Sequence, residues 1–542
     1  MTERVFLSTI VSLVVASWAA AGESAGKPAQ AQPAAGVLKV RVLDEAGSPL
    51  PARVHLRDAT GRYLLAEGQS TRQRAVYKGT TPVCGDWFYT DGSFSIEVGP
   101  GEAQIDIAHG PAYATAHDAI PIVAGQSVEK TYTLKRLIDP LAMGWYSADE
   151  HLHQTPDSEL MLAEDLNLAA LPICGGVDLQ YRPSQKVTQR PDATHLLVSD
   201  VSAVEWDCFL WSLPKPLAMR LGTDDWPQED FATSDRPGAN DLRTSFVVRT
   251  PFLIEQMHAA GATLIAYMHD PPRVAYYPLY VANGWIDVYG VLENGYCSIA
   301  NRTEAEFWRG FDGERGNFGV WYRFLNCGYR LPASAGTDNV GMGVGVWKGY
   351  NRVYAKLDGP LTVENWLAAL KRGRTFVTNR PLLFVTFDGK EPGSELAINL
   401  AQASPLSVDI HAVSATPISR IDILHQGRVL KQIDIDPPAG DIRRSEKITV
   451  PTSGWLAVRC LGRSENPNLS PGFALAHTSP FYVIVEGRPI RSPEDARWLH
   501  DDFSAFVKRS LPRVKNEQIR RLLESKCRDA LAKYAAQAEV AQ

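Results

Sequence analysis

The sequence predicts a multidomain chain in which a central α/β unit is flanked by two β-sandwiches and closed by a helical tail. Three observations lead to this expectation. The chain has 542 residues, against roughly 150 for an average domain, so about three or four domains are expected. Two separate stretches carry short runs that alternate apolar and polar residues, the period of half-buried strands. Between them, apolar strand-like runs alternate with helix-like ones, the order that builds a parallel sheet. The composition, 45% hydrophobic and 21% charged with 36 Pro and 42 Gly, is that of a globular protein rich in loops and sheet.

The N-terminus presents Arg4, an apolar stretch from Val5 to Trp18, and then Ala19-Ala20-Ala21. A positive end, a short apolar core and a small-residue site are what signal peptidase reads. Residues 1–21 are therefore expected to be a signal peptide, and the protein to be exported to the periplasm or the exterior. The apolar run is shorter than the ~20 residues of a spanning helix, and no other segment is long and apolar enough, so no membrane span is expected. A net charge of -6 with no Lys/Arg run gives no face for phosphates and excludes nucleic acid as an expected partner. The seven cysteines include no Cys-x-x-Cys pair, so a zinc ribbon or disulfide scaffold is not indicated and most read as buried thiols, although an exported chain permits one or two bridges.

Residues 22–35, rich in Pro, Ala, Gly and Gln, read as a linker. Leu38–Val42 and Arg53–Leu56 then alternate with period two, and Ser93–Val98 follows the turn Asp91-Gly92. Residues 36–136 are accordingly expected to form a β-sandwich. Residues 139–388 form the α/β unit. Within it Thr250 and Pro251 start a helix that Gly261 ends, and Thr263–Tyr267 follows as a buried strand. Alternation returns over residues 392–489, for example at Leu406–Ile410, predicting a second sandwich. Residues 492–542, with Ile519, Leu522, Leu523, Leu531 and Tyr534, predict the helical tail.

The stretch Ser147-Ala148-Asp149-Glu150-His151-Leu152-His153 carries the most chemistry. In a strand, residues two apart share a face, so His151 and His153 can offer imidazole nitrogen to one ion while Leu152 packs into the wall behind. Histidines also alternate on exposed strands by chance, and spacing alone leaves both readings open. His269 ends the predicted strand Thr263–Tyr267 and its short extension, and Asp338 ends the small-residue run Ser334-Ala335-Gly336-Thr337. In parallel α/β sheets ligands gather beyond the carboxyl ends of strands. Three histidines and an aspartate suit zinc, with manganese or iron as alternatives. A hydrogen-bonded core histidine at 269 and an Asx-turn at 338 remain the bland alternatives.

Residues 144–385 resemble the PHP (polymerase and histidinol phosphatase) superfamily, in its CehA/McbA-type metallohydrolase branch. The likeness rests on Gly144–His153, Ala163–Ala169, Trp321–Asp338 and Gly373–Leu382, in that order along the chain. The first sandwich resembles the carboxypeptidase-regulatory-like, transthyretin-like fold in its opening strand, its Asp-Gly turn and its closing Lys130–Leu134. The PHP resemblance implies a distorted (β/α)7 barrel with one or at most two zinc-like ions at the carboxyl ends of its strands. Carried over, it makes His151, His153, His269 and Asp338 the ligands, with Asp149 orienting a ligand histidine and Glu205, or its rival Asp200, supplying a bridging carboxylate. The family's Asp-His pair is replaced by Leu171–Gly176, and its closing Asp-x-His by Asp338-Asn339-Val340, which argues against a trinuclear site.

These ligands imply hydrolysis of an ester, amide, carbamate or phosphoester bond by metal-activated water, in a small-molecule or carbohydrate-like substrate. Asp338 is the candidate general base, and Arg352 with Tyr350 the candidate grip on an anionic or carbonyl oxygen. The sandwiches, which carry no ligand cluster, are expected only to position the barrel. The alternative is a degenerate, non-catalytic barrel that binds carbohydrate or a surface partner, with Trp206, Trp211, Trp226 and Trp285 as stacking platforms.

Overall fold

The computed structural model describes residues 34–72, 84–152, 158–173, 180–181, 186–204, 208–211, 217–218, 250–267, 276–293, 316–337, 346–401, 405–514 and 516–539. The chain is multidomain and rich in sheet, with its helices concentrated in the centre and at the C-terminus. The signal-peptide stretch lies outside the described residues. No helix among them is long and apolar enough to cross a membrane.

The N-terminal unit holds two sheets whose inner sides share one apolar core. Gly36–Leu43 lies between Ser93–Val98, antiparallel, and Ser127–Thr133, parallel. The facing sheet is built on Ala52–Arg57, paired with Trp87–Thr90 and Gly101–Ala108. Leu38, Val40 and Val42 point inward toward Val54, Leu56, Ile105 and Ile107. Phe88 and Phe94, one from each sheet, meet edge to face at 4.9 Å. Between them the chain changes sheet at Gly92, whose φ of 120° and close approach to Pro49 admit no side chain.

In the centre, Trp145–Asp149, Leu168–Ile173 and His195–Val204 pair in parallel, as do Thr263–Tyr267, Val288–Leu292 and Ala333–Ala335. The strand Cys208–Trp211 joins the two sets and is antiparallel to both its neighbours. The helices Thr250–Ala259 and Asn317–Asn326 precede parallel strands and bury Phe252, Leu253, Ile254 and Phe318, Trp321, Phe324 respectively. Among the described residues the strands form no closed barrel. The two ends of the set do approach: Glu150 N donates to Ala335 O at 3.5 Å, a single backbone bond with no ladder.

Trp145–Asp149 also pairs antiparallel with Arg352–Lys356, which pairs with Thr375–Thr378, which pairs with Phe473–Thr478. By this route the central sheet runs without a break into the C-terminal β unit. That unit starts earlier than residue 392: Leu382–Phe387 pairs with Leu406–His425 and so belongs to it. The reason is visible in the strand itself, which buries Leu382, Leu383, Phe384, Val385 and Phe387 against the C-terminal core. The tail is a helical pair, Pro493–Ser510 and Glu517–Ala538, beginning at the cap Ser492. It covers the outside of the central helices through Arg323–Asp495 at 2.6 Å and Tyr534 Oη to Pro278 O at 2.8 Å. Ile519, Leu523 and Tyr534 are buried, whereas Leu522 is exposed. Cys84, Cys327, Cys460 and Cys527 are buried free thiols.

Candidate active site at the ends of the central strands

The strand Trp145–Asp149 is anchored at its start by Trp145, packed against Phe376 and Phe384 at 5.2 and 5.7 Å. It delivers Asp149, Glu150 and His151 to its carboxyl end, all three buried. Leu152 sits in an apolar cluster with Met161, Leu166, Ala169 and Leu197, so the residue between the two histidines does pack into the wall.

Each of the three polar side chains is held by named partners. Asp149 accepts from Thr337 N at 2.9 Å, Thr337 Oγ1 at 2.5 Å, Gly349 N at 2.7 Å and His151 N at 3.2 Å. It therefore ties together three segments, and burial pushes its carboxyl up to about 6 against the pull of those four donors. Glu150 accepts from Trp366 Nε1 at 2.8 Å and from the Ser334 hydroxyl. The His151 ring places Nδ1 2.8 Å from Glu293 Oε2, both groups buried. Gly336 completes the packing, since a Cβ there would lie 2.3 Å from His151 Cβ. Gly336 N in turn donates to Leu292 O at 3.1 Å, which fixes Glu293 beside His151.

Glu293 was not singled out by sequence reasoning, yet it obeys the rule that picked His269 and Asp338. It is the polar residue that ends a fully buried strand, Val288–Leu292. A carboxylate on one imidazole nitrogen is how ligand histidines are oriented, with the other nitrogen turned to the ion. Carboxylate and imidazole are also donors that zinc, manganese and iron accept together. His151 and Glu293 have the chemistry of a ligand histidine and the carboxylate that orients it. Among the described residues no group of three His, Cys, Asp or Glu side chains is gathered to hold an ion.

His153, His269, Asp338 and Glu205 lie outside the described residues. Asp200 lies in the strand His195–Val204. The structure turns Arg352 and Tyr350 inward, away from the expected grip on a substrate oxygen. Arg352 donates from Nε to Gly349 O at 2.7 Å and from Nη1 to Glu164 O at 2.9 Å. Tyr350 donates to Pro471 O at 2.7 Å. Both brace the turn that supplies Gly349 N–H to Asp149. Trp211 and Trp285 are buried and so are core residues, not sugar platforms; Trp206 and Trp226 lie outside the described residues. No family model matches the sequence, and the comparison with curated proteins found no match.

Proposed function

We propose that the protein is an exported metal-dependent hydrolase of an ester, amide, carbamate or phosphoester bond, built on a PHP-like barrel to which the central strands belong. The observation that carries this reading is the buried His151–Glu293 pair, at 2.8 Å, just beyond the carboxyl ends of the strands Trp145–Asp149 and Val288–Leu292. Isolated ionisable groups are costly to bury, and a buried carboxylate–imidazole pair at strand ends is where chemistry is expected. His151 would be a ligand, with His153, His269 and Asp338 completing the set and Glu205 or Asp200 as a bridging carboxylate. A zinc-like ion held by these residues would supply a water acidified toward a pKa of ~7 and polarisation of the scissile group. Glu293 fixes the ring plane and tautomer of His151. Asp149, clamped by four donors, keeps the strand end, the residue before Asp338 and the Gly349 turn in register. Asp338 would take the proton from the attacking water.

The test is a panel of chromogenic carboxylic, carbamate and phosphate esters, assayed with full-length protein before and after chelation. The expected outcome is turnover of at least one class, abolished by chelator, restored by Zn²⁺ or Mn²⁺, and absent in His151→Ala. Turnover that survives chelation and His151→Ala would sink the reading.

A further inference from the structure

The N-terminal sandwich holds a side chain whose surroundings belong to the site. Arg53 is fully buried although it lies on the strand Ala52–Arg57 of a separate unit. Its Nε lies 2.7 Å from Glu164 Oε1, and Nη1 donates to His55 Nε2 at 2.7 Å and to Asn468 O at 2.8 Å. Its guanidinium carbon stands 3.4 Å above the centre of the buried Trp347 ring. A fixed cation over an indole, with a carboxylate at its edge, holds both partners in one geometry.

Two paths lead from this arginine to the same peptide. Through Trp347 it fixes the turn that reaches Gly349 two residues later. Through Glu164 it fixes the end of the helix Ser158–Ala163, whose next carbonyl, Glu164 O, accepts from Arg352 Nη1, and Arg352 Nε donates to Gly349 O. Gly349 N then donates to Asp149 at 2.7 Å. With φ at 76° and a Cβ position 3.1 Å from Arg352 Nη2, Gly349 has little room to shift. We infer that Arg53 of the N-terminal sandwich is a positioning residue for the His151 site, setting the Trp347–Gly349 turn that aligns Asp149 and, through it, His151. The inference rests on the metal reading of His151 given above, and it gives the sandwich a part in the site beyond that of a spacer.

The test uses full-length protein and Co²⁺ as the probe, read by its visible absorption and by titration. Arg53→Met alone leaves the Glu164 carboxylate buried without its cation, so the neutral pair R53M/E164Q is made beside it, together with R53K and with F94L, which loosens the sandwich core away from Trp347. In R53M/E164Q, folded as judged by cooperative unfolding, Co²⁺ affinity falls about tenfold and the absorption changes, the scale seen when outer-sphere partners of a metal site are removed. R53K recovers most of the loss, and F94L binds Co²⁺ as wild type does. Wild-type affinity and spectrum in R53M/E164Q would overturn the inference, as would an equal loss in F94L. If wild-type protein binds no Co²⁺, or binds it unaltered in His151→Ala, the metal reading fails instead. The positioning role is then read from the His151 ring Nδ1–H resonance, which R53M/E164Q shifts if Arg53 acts on this site and leaves unmoved if it does not.

Discussion

The two flanking β units are attached to the centre in different ways. The C-terminal unit continues the central sheet, with Thr375–Thr378 laddered to Phe473–Thr478 and an apolar seam of Trp145, Tyr354, Phe376 and Phe384 beside it. Tyr354 and Phe376 stack there at 4.9 Å. The N-terminal sandwich shares part of that apolar core but, among the described residues, has no strand in the central sheet. It is registered by buried polar contacts: Arg53 with Glu164 of the centre, and Asp106 with Asn466 and Asn468 of the C-terminal unit at 2.6 and 2.7 Å. A ladder and an apolar seam give strength with little demand on angle, whereas a buried ion pair is weak evidence for stability but strict in geometry. The difference teaches that the C-terminal unit supplies stability and the N-terminal unit supplies alignment.

The largest expected effects break each attachment in its own way. Glu164→Ala leaves the Arg53 guanidinium buried without its carboxylate and is expected to cost about 3–5 kcal/mol. Replacing the pair by the neutral R53M/E164L should cost far less by denaturant unfolding, and a cost equal to that of Glu164→Ala would contradict the alignment role. Phe376→Ala opens the apolar seam and should also cost about 3–5 kcal/mol, with no neutral partner change able to restore it. A loss under ~1 kcal/mol would mean that the seam is not the source of strength.

An effect spread over several pH units separates the units. Burial holds the His477 imidazole down to about 3, from an ordinary 6.5, in the strand Phe473–Thr478. Its Nδ1 meets Thr478 O at 2.7 Å and its Nε2 meets Tyr322 Oη at 2.7 Å, so the neutral ring donates to the carbonyl and accepts from the phenol. The unfolded chain binds this proton first as pH falls. The stability it contributes is therefore whole above about pH 6.5 and is lost as pH drops toward 3, at up to about 1.4 kcal/mol per pH unit. His477→Gln should flatten that slope, and an unchanged slope would place the acid sensitivity elsewhere. The smallest effect concerns the tail: Ser492 accepts from Asp495 N at the start of Pro493–Ser510, and Ser492→Ala should cost about 1 kcal/mol in a thermal melt without touching the site.

Much of this was legible in the sequence, and the exceptions share a cause. Period-two alternation marked Leu38–Val42, Ser93–Val98 and Leu406–Ile410, all of which lie in strands, and Gly261, at φ 83°, ends the central helix where expected. The His-x-His stretch picked out His151, and Leu152 packs as the pattern requires. Arg53 and His55 were not legible as buried, because alternate polar residues on a strand read as its solvent face. Here that face is covered by Glu164 and Trp347, 111 and 294 positions away in sequence. Glu293 followed a rule already in use but lacked a motif around it. The early start of the C-terminal unit was hidden because Leu382–Val385 is a continuous apolar run, which reads equally as a central parallel strand. In each case the deciding partner is remote in the chain, and local pattern carries no trace of it.

The central claim is that His151 and Glu293 belong to a metal site. Its most direct test is elemental analysis of full-length protein equilibrated with Zn²⁺ and dialysed, compared with folded His151→Ala and Glu293→Gln. The account predicts one or at most two tightly held ions in the wild type, loss in His151→Ala, and affinity weakened by about tenfold or more in Glu293→Gln. A folded wild-type protein that retains no metal, or a His151→Ala variant that retains as much as wild type, would contradict it.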